Sequence, residues 1–151
     1  MKMKYTEKMS KKLNELLEKN YDAEKGYKKA SEIVENVKLK QFFETQAQNR
    51  YDFGHELKSE IRSYGESPDK GTSVTGDMHR TWMSIKSTFT SNDEEAILEE
   101  VKKGEEAAIE EYNEIINDTT LPPTTQKILT KQRSSIENAL QSAKNFEVVV
   151  S

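Results

Sequence analysis

Apolar side chains recur at intervals of three and four along almost the whole chain, which is the spacing of one face of an α-helix. Leu13, Leu16, Asn20, Ala23, Tyr27, Ala30 and Val34 make the first such stripe. It predicts a helix over residues 11–36, capped by Ser10, after a loose basic lead-in at residues 1–9. A second helix is expected over 37–64, with Leu39, Phe42, Phe43, Gln46, Asn49, Phe53, Leu57 and Tyr64 on one side and Gly65 ending it. The stretch "DMHRTWMSIKSTF" (77–89) predicts a short helix carrying Met78, Trp82, Ile85 and Phe89. Ser91 and Glu94 then stand at capping-box spacing. A third long helix over 93–117 would turn Ile97, Val101, Glu105, Ala108, Tyr112 and Ile115 inward. After the break "NDTTLPP", a fourth over 122–146 would bury Ile128, Gln132, Ser135, Ile136, Ala139, Ala143 and Phe146.

These stripes bury themselves best against one another. The expected fold is all-α: a single four-helix-bundle domain over residues 10–147, with a short tail at 148–151. Its one long connection, between the second and third helices, would make the antiparallel bundle a crossover type with a short extra helix in that connection. A plain up-and-down bundle with the short helix lying across one end is the alternative.

Composition decides little alone. Charged and apolar residues each make up 33% of the chain, a balance shared by disordered chains and by two-faced helices, and the periodicity favours helices. A net charge of −4 gives no electrostatic support to nucleic-acid binding. The chain has no cysteine, which excludes disulfides and thiolate metal sites, and no long apolar run, so neither a signal segment nor a membrane span is expected. A cytoplasmic protein is the default expectation.

The two halves of the sequence match. Shifted by 85 residues, Leu13, Asn20, Ala23, Tyr27 and Ala30 fall on Leu98, Glu105, Ala108, Tyr112 and Ile115. Shifted by 86, Phe42, Phe43, Gln46, Asn49 and Phe53 fall on Ile128, Leu129, Gln132, Ser135 and Ala139. Any two amphipathic helices share apolar periodicity, so the polar matches carry the signal. Each half has a polar residue seven before a tyrosine, then Gln-x-x-(Asn or Ser). The expectation is a pair of related helical hairpins whose Asn20, Gln46, Asn49, Glu105, Gln132 and Ser135 form a hydrogen-bonded polar layer. Tyr27 and Tyr112 would close it by donating to Glu105.

This pattern resembles the ferritin-like superfamily, whose bundles carry a Glu seven residues before a Tyr on the first helix of each half and Glu-x-x-His on the second. More closely, "LNELLEKNYDAEKGY" (13–27), "YGESPDKGTSVTGDMHRTWMSIKSTFT" (64–90) and "DEEAILEEVKKGEEAAIEEY" (93–112) resemble an uncharacterised bacterial four-helix-bundle family of that superfamily, a domain of unknown function. The resemblance implies the fold and a degenerate di-metal site. Of six ligand positions only Glu105 is a carboxylate, and amides are poor ligands for transition metals. It therefore implies a non-enzymatic structural or binding protein without a cofactor, associated with stress only by analogy, and a homodimer, since ferritin-like bundles often self-associate. The alternative is a metal- or oxidant-handling protein that holds iron or manganese through Glu105 with Glu24, Glu56 or Glu60.

Other residues carry less. His55 is expected to be solvated. His79, Arg80 and Trp82 read as a packing anchor, with Trp82 plugging the bundle end and Arg80 paired to acidic residues. An anion site at the start of the short helix is the alternative reading. No catalytic triad or phosphate-binding glycine loop is legible. Segment 93–118 carries eleven acidic residues against Lys102 and Lys103, and segment 1–12 five lysines against Glu7. These read as solvated faces, with a contact between subunits as the functional option.

Overall fold

The computed structural model describes residues 4–68, 89–118 and 120–150. Among these it contains four α-helices and no strand: α1 (Tyr5–Ile33), α2 (Val37–Ser63), α3 (Glu94–Asp118) and α4 (Pro123–Val150). A single 3₁₀ turn, Ser91–Asp93, leads into α3.

The helix ends follow local chemistry. Val34 turns to extended backbone and closes α1 with a bond from its N–H to the Ala30 carbonyl. Asn36 caps α2, its side chain accepting from the Leu39 N–H at 3.0 Å. At the other end Gly65 takes φ 77°, and the bonds from Gly65 N to Arg62 O and from Glu66 N to Ile61 O form a Schellman closure. α4 starts on Pro123, whose missing N–H costs nothing in the first turn.

Four boundary expectations are corrected. The lead-in at residues 1–9 is not loose throughout, because α1 begins at Tyr5. Ser10 is not a cap but a buried residue inside α1, and Met9 beside it joins the core. The tail from residue 148 is helical through Val150. The capping box before α3 is Thr90 with Asp93, one residue ahead of the expected Ser91 and Glu94. The predicted short helix lies outside the described residues except for Phe89, which is not helical and packs, half-buried, on the core.

Contacts fix the relative directions of the helices. Leu17 lies against Gly54, Asn20 bonds Arg50, and Tyr27 packs on Phe43, so residue numbers fall along α2 as they rise along α1. The same opposition holds for α3 with α4, through Lys102–Glu147 and Tyr112–Gln132. It holds for α1 with α3, through Lys19–Glu111 and Tyr27–Glu105, and for α2 with α4, through Phe42–Phe146, Glu56–Gln132 and Glu60–Thr125.

The buried apolar residues fall into two clusters. One gathers Tyr27, Leu39, Phe43, Ile97 and Val101 near one end, and the other gathers Leu13, Leu16, Leu57, Ile61 and Leu129 towards the opposite end. Between and through them run polar side chains that are just as buried: Asn20, Arg50, Glu105 and Gln132. The stripe of α2 that makes this core is Leu39, Phe43, Ala47, Arg50, Phe53, Leu57 and Ile61, with Gly54 beside Phe53. It is rotated from the expected one, leaving Phe42, Gln46, Asn49 and Tyr64 only half-buried.

Candidate functional site

Burying the Glu105 carboxylate demands a compensating charge or several hydrogen bonds. Both are present. The Arg50 guanidinium donates through Nη2 to Glu105 Oε1, and the Tyr27 hydroxyl donates to Glu105 Oε2 at 2.7 Å. Helix periodicity brings these groups together. Position 50 follows Phe43 and Ala47 on the inward face of α2, and position 105 follows Ile97 and Val101 on that of α3.

From Arg50 a chain of bonds continues across all four helices. Nη1 donates to Asn20 Oδ1 at 2.8 Å. Asn20 Nδ2 donates to the Leu16 carbonyl at 2.8 Å and to the Tyr112 hydroxyl at 2.9 Å. Tyr112 donates to Gln132 Oε1 at 2.7 Å. Gln132 Nε2 donates to Glu56 Oε1 at 3.0 Å and to the Phe53 carbonyl at 3.4 Å. Glu105 and Tyr112 are seven residues apart, about 10 Å along the helix axis, so the chain runs obliquely through the core rather than lying in one plane.

The electrostatics follow from burial and sign. Desolvation pushes the Glu105 pKa up from its ordinary value, against the Arg50 charge and the Tyr27 bond, which pull it down. Desolvation, with the Glu105 charge added, holds Tyr27 well above the usual phenol value. Burial also lifts Tyr112 to about 12, against Arg50 and the bond from Asn20. Both phenols are therefore neutral donors over the physiological range.

The expected polar residues divide. Asn20, Tyr27, Glu105, Tyr112 and Gln132 meet in this chain. Gln46 and Asn49 do not: they are half-buried and bond to each other at 3.5 Å, because the inward face of α2 passes through Arg50 instead. Ser135 is half-buried and outside the chain, with Ile136 taking the core position beside it. Tyr112 donates to Gln132, not to Glu105, because the amide oxygen lies nearer its hydroxyl and Arg50 and Tyr27 already occupy the carboxylate. Glu105 is held by a guanidinium as well as a phenol, where amides and phenols alone were expected. His79, Arg80 and Trp82 lie outside the described residues.

Arg50 is the residue that sequence reasoning missed. The signal was available: it falls on the same three-and-four spacing as Phe43, Ala47 and Leu57, and a carboxylate on an inward stripe calls for a cation on a facing one.

A di-metal centre of the ferritin-like kind does not fit these side chains. Glu105 already faces a fixed positive charge, which would repel a dication. The Asn20 and Gln132 oxygens are neutral and each already accepts a bond. Of the other carboxylates considered, Glu24 is paired with Lys28 at 2.8 Å, Glu56 with Gln132, and Glu60 accepts from Thr125 at 2.6 Å. No group of three or more His, Cys, Asp or Glu is placed to hold a metal ion among the described residues.

On the surface, a groove of about 460 Å³ between α1 and α2 is lined in part by Glu24, Lys28, Lys40 and Tyr51. Its lysines are already engaged, Lys28 by Glu24 and Lys40 by the Ser31 carbonyl at 2.6 Å. His55 is exposed, edge-on to Tyr51. No described helix is long and apolar enough to cross a membrane.

A protein family described as a domain of unknown function (DUF2383) matches the chain over residues 8–118. The chain belongs to this family. The DUF2383 match spans α1, α2 and α3, so Asn20, Tyr27, Arg50, Glu105 and Tyr112 all fall within it, while Gln132 lies beyond its end. No curated protein matches the chain.

Proposed function

We propose that this member of DUF2383 is a ferritin-like antiparallel four-helix bundle of two related hairpins, in which an internal ion pair stands where that fold can hold two metal ions. On this reading it acts as a non-enzymatic structural or binding protein. The directions of the helices support the fold. α2 and α3 both run opposite to α1, so the end of α2 and the start of α3 lie at opposite ends of the bundle, as in bundles of the crossover type. The related hairpins are supported by Tyr27 bonding Glu105 while Tyr112 bonds Asn20, two bonds that exchange under the 85-residue shift. With no cysteine and a net charge of −4, the chain suits the cytoplasm and a role without nucleic acid.

The observation that carries the functional reading is the Arg50–Glu105 pair. It uses the only carboxylate among the six positions that correspond to metal ligands in the ferritin-like pattern and puts a cation beside it. The test is metal binding by protein purified without chelator. Elemental analysis is expected to find no stoichiometric iron, manganese or zinc, and added iron or manganese to leave the melting temperature unchanged. A rise of several degrees, abolished by Glu105→Ala, would replace this reading with a metal- or oxidant-handling one.

A further inference from the structure

The two hairpins present similar faces to each other. Tyr27 reaches from the first to Glu105 on the second, and Tyr112 reaches back to Asn20. The apolar positions around them also match, with Ala23 and Ala108, and Leu13 and Leu98, buried in both halves. Faces this alike could equally dock on copies of themselves in a second molecule: α1–α2 against α1–α2, or α3–α4 against α3–α4. The tyrosines do not discriminate, because a tyrosine hydroxyl finds a hydrogen-bonding partner at either place: Asn20 donates to it through Nδ2 and Glu105 accepts from it.

The charges do discriminate. The first hairpin buries a cation, Arg50, and has neutral Asn20 where the second has Glu105. The second hairpin has Ile136, buried and apolar, at the place that corresponds to Arg50. We propose that the Arg50–Glu105 pair is the device that selects unlike hairpins for docking and so keeps the fold within one chain. Two first hairpins together would set each Arg50 guanidinium opposite the neutral Asn20 of the other copy, without the Glu105 carboxylate that it pairs with. Two second hairpins would bury two carboxylates with no cation. Only the unlike pairing brings opposite charges together, and a buried charge without its partner is far costlier than a buried pair. The proposal rests on the two-hairpin reading above, but its test reads hairpin pairing and not metal, so the two can fail separately.

The experiment uses the full chain with both charges replaced by apolar groups, Arg50→Met with Glu105→Leu. Isotopically labelled and unlabelled protein are unfolded together, refolded at high concentration, cross-linked and analysed by mass spectrometry. The neutral variant is expected to give labelled-to-unlabelled cross-links joining the inward faces of α1 to α1 and of α3 to α3, with a size-exclusion profile changed from that of the wild type, and the wild type to give no such cross-links. If the neutral variant refolds to the wild-type species without such cross-links, the proposal is wrong.

Should that variant not refold, the single reversals Arg50→Glu and Glu105→Arg decide. Each alone carries two like charges. Refolded together, each hairpin finds an opposite charge in the other chain, and a heterodimer is expected at least tenfold above what either gives alone. A mixture that behaves as the sum of its parts overturns the proposal.

Discussion

Arg50 and Glu105 meet in an ion pair in which neither side chain is more than 1% exposed. Removing one member strands the other charge in the core. Arg50→Met is therefore expected to cost about 3–5 kcal/mol. Replacing both, Arg50→Met with Glu105→Leu, should restore most of that loss. Urea denaturation of the two single variants and the double variant measures this directly. A double variant as unstable as Arg50→Met alone would show that the arginine acts through packing and not through its charge.

Tyr27 and Tyr112 are expected to resist ionisation. Burial holds the folded Tyr112 near 12 and Tyr27 well above 10.0, whereas an unfolded phenol ionises at its ordinary value. Folding keeps these protons on, so the stability they contribute is present below the unfolded pKa and is lost as pH rises through the folded one. Phenolate absorbance followed during alkaline titration should show two of the six tyrosines ionising only as the helical circular dichroism disappears. Replacing Tyr27 and Tyr112 by phenylalanine should remove that late step. Its persistence would place the late phenols elsewhere.

The raised Glu105 pKa has the same sign. The folded protein holds this proton more tightly than the unfolded chain does, so stability should fall as pH rises from the ordinary value of 4.5 through the folded pKa. Glu111 shifts in the same direction, so the whole-protein curve does not isolate the effect. The difference in melting temperature between wild type and Glu105→Gln, followed across that window, does. A difference that grows in favour of wild type as pH rises would mean that Arg50 outweighs desolvation.

Gly54 offers a stabilising change. A methyl group there would sit 3.6 Å from Leu17 Cδ1 and 3.8 Å from Tyr21 Cε1, ordinary contact distances. Gly54→Ala should therefore gain about 0.5–1 kcal/mol from helix propensity. Gly65→Ala should lose stability, because φ 77° strains any side chain. Thermal melts of both variants test the pair. A destabilised Gly54→Ala would mean that α1 and α2 need a closer approach than ordinary contact.

The sequence told most where polar residues interrupt an otherwise apolar stripe. Asn20 and Glu105 stood in such stripes and are buried, and the α1 and α3 faces were legible almost residue for residue. α2 misled because Gln46 and Asn49 matched Gln132 and Ser135 by type, which drew the inward face one step round the helix. Arginine is so commonly solvated that Arg50 was passed over, although its spacing placed it inside. The start of α1 was missed for a similar reason. Lysines dominate residues 1–12, but Met9 supplies the core contact that extends the helix back to Tyr5. Partner geometry, such as Tyr112 choosing Gln132 over Glu105, depends on how the helices cross, and no single helix records that.

Arginine has hydrogens to give and no lone pair with which to take one. Its bond to Asn20 thus decides which way round that amide sits, the amide decides where the Tyr112 hydroxyl turns, and the hydroxyl decides which group Gln132 offers to Glu56. With aspartate at position 20 the choices would reverse. The new carboxylate would accept a hydrogen bond from the Tyr112 hydroxyl, Gln132 would turn over to donate to that hydroxyl, and its oxygen would confront the Glu56 carboxylate. A change of one group in the interior is in this way delivered, side chain by side chain, to the edge of the protein, where the carboxyl resonance of Glu56 would report its arrival.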